Sequence, residues 1–425
     1  MSVHLSAKDR QMLNGQYGGA ARLVMSILVR MAEVYDATEL MNVTQAHIDS
    51  CALMSDSNLE FAETLVKRGG RVSIPTTLNM IPLDLQNWRR LGIPEEFAAK
   101  ATRLANAYTD MGCIPTWTCA PYQGYLTPRF GQQIAWGESN AIAYANSVLG
   151  ARTNRYGDFM DICAAITGRV PKAGLHLKEN RKGQLLLHLK VAPELLEDET
   201  FYVALGHFMG NLVQDKIPVI EGLPINATSD QLKALGAAAA SSGAVGLFHA
   251  IGVTPEANTL EEAFQGSKPE RVIDVRSSDL KAAWSDLSTA AKGDKVDVVM
   301  LGCPHFSFTE FQQLSQAIHD EGNHPRHPTC KMLVLTSQTS YGLLQRSNFV
   351  DTLTDFGAQI ILDTCMFHSP IISPEAKVLM TNSGKCAYYA PGHLNVRVAF
   401  GSIRDCVRSA IKGVVCREES PWEES

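Results

Sequence analysis

Apolar residues recur at helical spacing between residues 20 and 37, where Leu23, Ile27 and Val34 share one row and Val24, Leu28 and Met31 flank it. That period predicts an amphipathic helix. Short apolar runs in 39–49 predict strand pieces, and 59–67 predicts a helix stopped by Gly69-Gly70. A strand is expected at 71–74 with PTTLN at its end, so a β–α–β pattern begins here. Residues 93–111 predict another helix. Further on, strands are expected at 185–191, 219–220 and 245–251, and helices at 157–168, 198–211 and 229–242. After a polar connection over 256–268 the alternation becomes regular. Strands at 296–301, 332–335, 359–362 and 377–380 alternate with helices at 308–318 and 342–356.

Continuous apolar strands separated by helices indicate parallel sheet covered on both faces. The expected fold class is therefore α/β, with parallel sheets covered by helices and more than one α/β subdomain. The change of pattern divides the chain into 1–255, 256–415 and an acidic tail, 416–425, expected to fray.

Residues 112–158 depart from clean periodicity. They carry Glu138, Ser139, Asn140, Asn146, Asn154 and Arg155 among small residues, prolines and two cysteines. Residues 141–150 predict a tightly packed helix with Glu138–Asn140 at its start and Gly150 at its end. A helix start offers unpaired N–H groups, which suit an anion. Glu138 alternatively only caps its helix. Arg155 is a carboxylate-holding candidate, or else a structural partner of Asp158 or Asp161.

Composition narrows the function classes. The 425 residues carry a net charge of −6 and no long basic run, which excludes a charge-driven nucleic-acid or lipid-surface binder. The N-terminus shows no apolar leader core and no run is long enough to span a bilayer, so a cytoplasmic protein is expected. Ten cysteines in a chain of this length are buried thiols or metal ligands rather than a secreted disulfide framework.

Ligands in open α/β sheets bind beyond the carboxyl ends of strands. Those ends here carry Cys303-Pro-His305, Thr336-Ser337, Asp363-Thr-Cys365 and Asn382-Ser383-Gly-Lys385. Three thiolates brought together can hold an iron–sulfur cluster with one iron open. Cys119 joins Cys303 and Cys365 as a candidate, with Cys113 its competitor six positions earlier. Thr76, Thr77 and Asn79 can donate hydrogen bonds to a substrate. Ser383 beside Lys385 can serve as a cation-assisted base. His305 reads as a second donor or as a half-buried packing histidine. TNSGK lacks the earlier glycines of a phosphate loop, and no GxGxxG is present.

TCAPY, AWGESNAIAYANSVLGARTNRYGDF, GLHLKENR, LGCPHFS, LDTC and TNSGKCAYYAPG occur in one order between residues 21 and 413. In these motifs the chain resembles the large subunit of the aconitase X family. The resemblance implies an aconitase-like fold and an iron–sulfur hydro-lyase whose cluster ligands are Cys119, Cys303 and Cys365. It favours a serine base, here Ser383 with Lys385. It leaves Thr76, Thr77, Asn79, Glu138, Ser139, Asn140, Asn154, Arg155 and His305 for the substrate. Two family activities are implied: dehydration of cis-3-hydroxy-L-proline, preferred on the wording TNRYGDFMDICAAITGRVPKAGLHL, and of mevalonate 5-phosphate. A separate small swivelling-domain subunit is expected as partner. A reading from another class is a non-catalytic metal-binding scaffold, which predicts a closed four-ligand site.

Overall fold

Residues 3–124, 126–418 and 422 are described by a computed structural model. The chain forms two compact units, 1–182 and 183–425.

The first unit runs α1 (Ala7–Leu13), α2 (Gly19–Val34), β1 (Leu40–Asn42), β2 (Ala46–Ile48), α3 (Asp56–Lys67), β3 (Thr76–Leu78), α4 (Glu95–Asp110), β4 (Ala135–Trp136), α5 (Ser139–Ser147), α6 (Met160–Thr167) and β5 (Arg169–Pro171). The predicted amphipathic helix is α2, whose Val24, Met25 and Leu28 are buried. They pack in a core shared with α3, α4 and α6. β3, β2 and β4 form a parallel sheet in that order, with His47 opposite both Thr77 and Trp136. The strand expected at 71–74 is displaced. Val72 and Ser73 donate to the carbonyls of Met111 and Ala165 at helix ends, so ladder pairing starts only at Thr76. Thr76 and Thr77 therefore lie within a strand rather than after one.

The second unit runs β6 (Leu185–Lys190), α7 (Glu199–Val213), β7 (Pro218–Glu221), α8 (Ser229–Ser242), β8 (His249–Ala250), α9 (Leu260–Ala263), β9 (Arg271–Arg276), α10 (Ser277–Asp286), β10 (Val298–Leu301), α11 (Phe308–Asp320), β11 (Lys331–Thr336), α12 (Gln338–Leu344), α13 (Phe349–Phe356), β12 (Gln359–Leu362), β13 (Val378–Thr381), α14 (Gly384–Leu394), β14 (Arg397–Phe400) and α15 (Ile403–Lys412). It contains two parallel sheets, ordered β8-β7-β6-β9 and β12-β11-β10-β13-β14. The helix expected at 342–356 is two helices, because Asn348 starts a new one after the polar run QRS.

The expected boundary at 255/256 is corrected. A cut there would sever β9 from β6, which pair over six positions, Leu185–Arg271 to Lys190–Arg276. The charges of β9 (RVIDVR) mask it in the sequence, because an edge strand with mostly exposed residues needs no apolar alternation. The polar connection at 256–268 also holds α9 and the buried Ala257, Ala263 and Phe264. The part of the tail that is described is docked rather than frayed. Cys416 donates to Ser409 and Glu418 to Asp405, and Trp422 is buried with its ring 5.9 Å from that of Trp284. Residues 419–421 and 423–425 of that tail lie outside the described residues.

Candidate active site

At the carboxyl edge of the first unit's parallel sheet, two rows of side chains follow from the register. Thr77, His47 and Trp136 form one row. Two residues further along each strand direction stand Asn79, Asp49 and Glu138, on the same face because side chains alternate. Asn79 donates its amide to Asp49 Oδ1 and accepts the Met80 N–H at 2.8 Å. Burial pushes the Asp49 carboxyl up to about 8, and the nearby Glu138, Asp158 and Asp161 add to the rise. Asp161 is itself pushed up to about 6 by burial, although Ser50 Oγ donates to it at 2.5 Å. His47 is held neutral: burial pushes it down to about 4, and its Nδ1 pairs with Thr77 Oγ1 at 2.8 Å. Asp49 and His47 escaped the sequence reading. The available signal was their position: AHID ends a short strand, where a carboxylate falls at the ligand-binding edge.

Several expected roles change with the geometry. The start of α5 is not an open anion site, because Glu138 turns its own carboxylate onto the Ala141 N–H at 2.7 Å and receives the Asn140 amide. Ser139 Oγ lies 3.5 Å from the same carboxylate. Asn140 also donates to the Cys119 carbonyl at 3.0 Å and accepts from Tyr122 Oη at 2.9 Å, which ties Cys119 to the helix start. Thr76 Oγ1 donates to the Ile74 carbonyl at 2.8 Å. Asn154 pins a turn: it accepts from the Leu175 N–H and donates to the Ala173 carbonyl. Gly174, with φ of 57°, fits under it because any Cβ there would strike the Asn154 amide. Arg155 is exposed. Cys113 sits in the apolar core with Cys51 and Cys163, and burial raises its thiol, which separates it from Cys119.

In the second unit the strand-end motifs of β10, β12 and β13 emerge at one edge of a parallel sheet. Gly302, with φ of 90°, turns the chain sharply after β10. A Cβ there would meet the Leu335 carbonyl oxygen at 2.1 Å, so only glycine lets Cys303 follow at this point. Buried His305 bonds the Thr364 carbonyl through Nε2 at 3.0 Å, which links the Cys303 and Cys365 loops. Ser383 caps α14, accepting the Cys386 N–H at 3.0 Å, and donates to the Cys303 carbonyl. Lys385 is half-buried near His368, which burial, then Lys385 and His393, push down to about 4. A cavity is lined by Cys303, Asn382, Ser383, Lys233 and Glu310. Lys233, a lysine in an Ala-rich helix, is buried between Asp230 at 3.0 Å and Glu310.

Among the described residues no three His, Cys, Asp or Glu side chains are grouped as a metal site. The donor chemistry of the second unit nevertheless fits a thiolate-held cluster. Cys303 and Cys365 are partly exposed where seven other thiols are buried, and both stand at the same sheet edge.

The family model described as aconitase X first domain matches residues 2–179, the second domain 183–285 and the third 296–412. Cis-3-hydroxy-L-proline dehydratase of Pseudomonas aeruginosa is 44% identical over 96% of this chain and 70% of its own length. The Hypocrea jecorina protein of the same name is 42% identical over 97% of this chain and 69% of its own length. Phosphomevalonate dehydratase large subunit of Methanocaldococcus jannaschii is 35% identical over 96% of this chain and all of its own length. The crystal structure of Thermococcus kodakaraensis aconitase X in its holo-form superposes with a TM-score of 0.84 at 31% identity, covering 96% of this chain and 100% of that one. With the strand-end cysteines and the parallel sheets in hand, these matches over nearly the full length establish that the chain belongs to the aconitase X family.

Proposed function

We propose that this chain is the large-subunit part of an iron–sulfur-dependent hydro-lyase that dehydrates cis-3-hydroxy-L-proline to Δ1-pyrroline-2-carboxylate. The observation that carries the substrate is the 42–44% identity to two cis-3-hydroxy-L-proline dehydratases, against 35% to the phosphomevalonate enzyme. All of these relatives are named dehydratases, which favours a hydro-lyase over a scaffold. The second reading, mevalonate 5-phosphate, rests on the 35% identity to the phosphomevalonate dehydratase large subunit. The name of the phosphomevalonate relative, a large subunit, supports a small swivelling-domain partner.

On the family resemblance, Cys119, Cys303 and Cys365 would hold the cluster. When bound, it supplies a Lewis-acidic iron that stabilises charge developing on the departing hydroxyl oxygen. Ser383 takes the C2 proton, and half-buried Lys385 lowers the cost of its ionisation. To act, Ser383 must first release its hydrogen bond to the Cys303 carbonyl. Exposed Arg155 holds the substrate carboxylate as a charge-assisted pair. Asn79, Glu138, Ser139 and Asn140 orient the ring, while Thr76, Thr77, Asn154 and His305 support the loops beneath it.

The test is turnover of C2-deuterated cis-3-hydroxy-L-proline by the chain assembled with its small subunit and anaerobically reconstituted. Loss of deuterium to solvent with product formation is expected. Retained label, or turnover of mevalonate 5-phosphate alone, overturns the assignment.

A further inference from the structure

We propose that Lys233 is a positioning residue for Cys303, acting through Glu310 and Ser307. Its importance for catalysis rests on the reading above; its effect on the Cys303 segment does not. The Lys233 side chain is 2% exposed, and its ammonium lies between two carboxylates, Asp230 at 3.0 Å and Glu310. Both carboxylates reach on to a single residue. Glu310 Oε2 accepts the Ser307 N–H at 2.7 Å, and Asp230 Oδ2 accepts the Ser307 hydroxyl at 2.7 Å. Ser307 Oγ in turn accepts the Glu310 N–H at 3.1 Å, closing a capping box at the start of α11.

Ser307 ends the segment that begins at Gly302 and contains Cys303. The Gly302 end is set by close approach to β11, and the Phe306 N–H donates to the Leu335 carbonyl at 3.0 Å. The Ser307 end is held by the charged group. An apolar helix face in an Ala-rich helix would pack without a lysine, and burying one costs free energy unless it is paired. Its placement is explained by what its partners hold: a loop whose cysteine faces the same cavity as Lys233 and Ser383.

The test uses the full iron-free chain, with the iodoacetamide alkylation rate of Cys303 followed by peptide mass spectrometry. Half-exposed Cys416 serves as the internal reference. Lys233→Met is expected to raise the Cys303 rate by about fivefold or more relative to Cys416, as a locally loosened segment opens more often. Lys233→Arg should restore the wild-type ratio. If Lys233→Met does not fold, as judged by circular dichroism, the charge-neutral variant Asp230→Asn/Lys233→Met/Glu310→Gln takes its place with the same expectation. An unchanged Cys303 rate in whichever variant folds overturns the inference. In the assembled enzyme the same variant should lower kcat while KM stays within about twofold. A wild-type enzyme inactive on hydroxyproline would sink the proposed function, while the alkylation comparison would still decide the role of Lys233.

Discussion

Ser383 donates its hydroxyl proton to the main-chain carbonyl of Cys303 and accepts the Cys386 N–H at 3.0 Å. One side chain thus caps α14 and bridges the ends of two neighbouring strands. Ser383→Ala removes both functions. It should cost about 1 kcal/mol of stability through the lost cap, and lower kcat by about a hundredfold or more through the lost base. Ser383→Asn keeps a capping oxygen. It should recover the stability measured by denaturant unfolding without recovering turnover, and recovery of both would show that the residue is a cap alone.

Cys119 and Cys113 should behave differently. Cys119→Ser should lower iron content and activity together, since a hydroxyl is a poor ligand for a soft site. Cys113→Ser buries a hydroxyl in the apolar core and should reduce stability with iron content per folded chain unchanged. Iron analysis of the two reconstituted proteins separates them, and full iron in Cys119→Ser would reassign the ligand.

Stability should fall as pH rises from about 7 to about 8. Asp49 is raised to about 8, so between about 4 and 8 the folded chain holds a proton that the unfolded chain has released. Rising pH therefore costs stability across that window. His47, lowered to about 4, and His176, lowered to about 3, work in the opposite direction. The unfolded chain binds those protons first, so the contribution of these two histidines falls as pH drops below about 6.5. Asp49→Asn should flatten the alkaline side of a plot of Tm against pH. An unaltered alkaline slope would mean that another group carries it.

Arg181 is a structural cation that TCAPY-type motif reading does not reveal. It is 1% exposed and donates to the carbonyls of Leu175, Asn146 and Ala151 at 3.0–3.1 Å, and to the Asn146 side chain. Arg181→Met would remove the guanidinium from the three main-chain carbonyls, while Asn146 Oδ1 keeps the Thr153 N–H at 3.0 Å. Destabilisation of about 3 kcal/mol or more is expected, measured by urea unfolding. A loss below about 1 kcal/mol would mean that water or a neighbour replaces it.

Local pattern determined much of this protein. The α2 helix and four of the five strands of the five-stranded sheet follow from apolar spacing, which any short window of the chain displays, whereas β14 escaped it. The strand-end placement of Cys303, Cys365 and Ser383 follows from the same alternation, because a parallel sheet sends all its carboxyl ends to one edge. Tertiary structure alone decided the rest. Cys113 and Cys119 lie six positions apart in similar surroundings, yet packing sends one into the core and ties the other to Asn140. Asp49 gains its raised affinity for a proton first from burial and then from Glu138, Asp158 and Asp161, which lie 89 to 112 positions away in sequence. Lys233 reads as one charge in an alanine helix until Asp230, Glu310 and Ser307 close around it. Secondary structure is written in the spacing of neighbours along the chain, whereas the energy of a charge depends on which distant groups fold against it and exclude water.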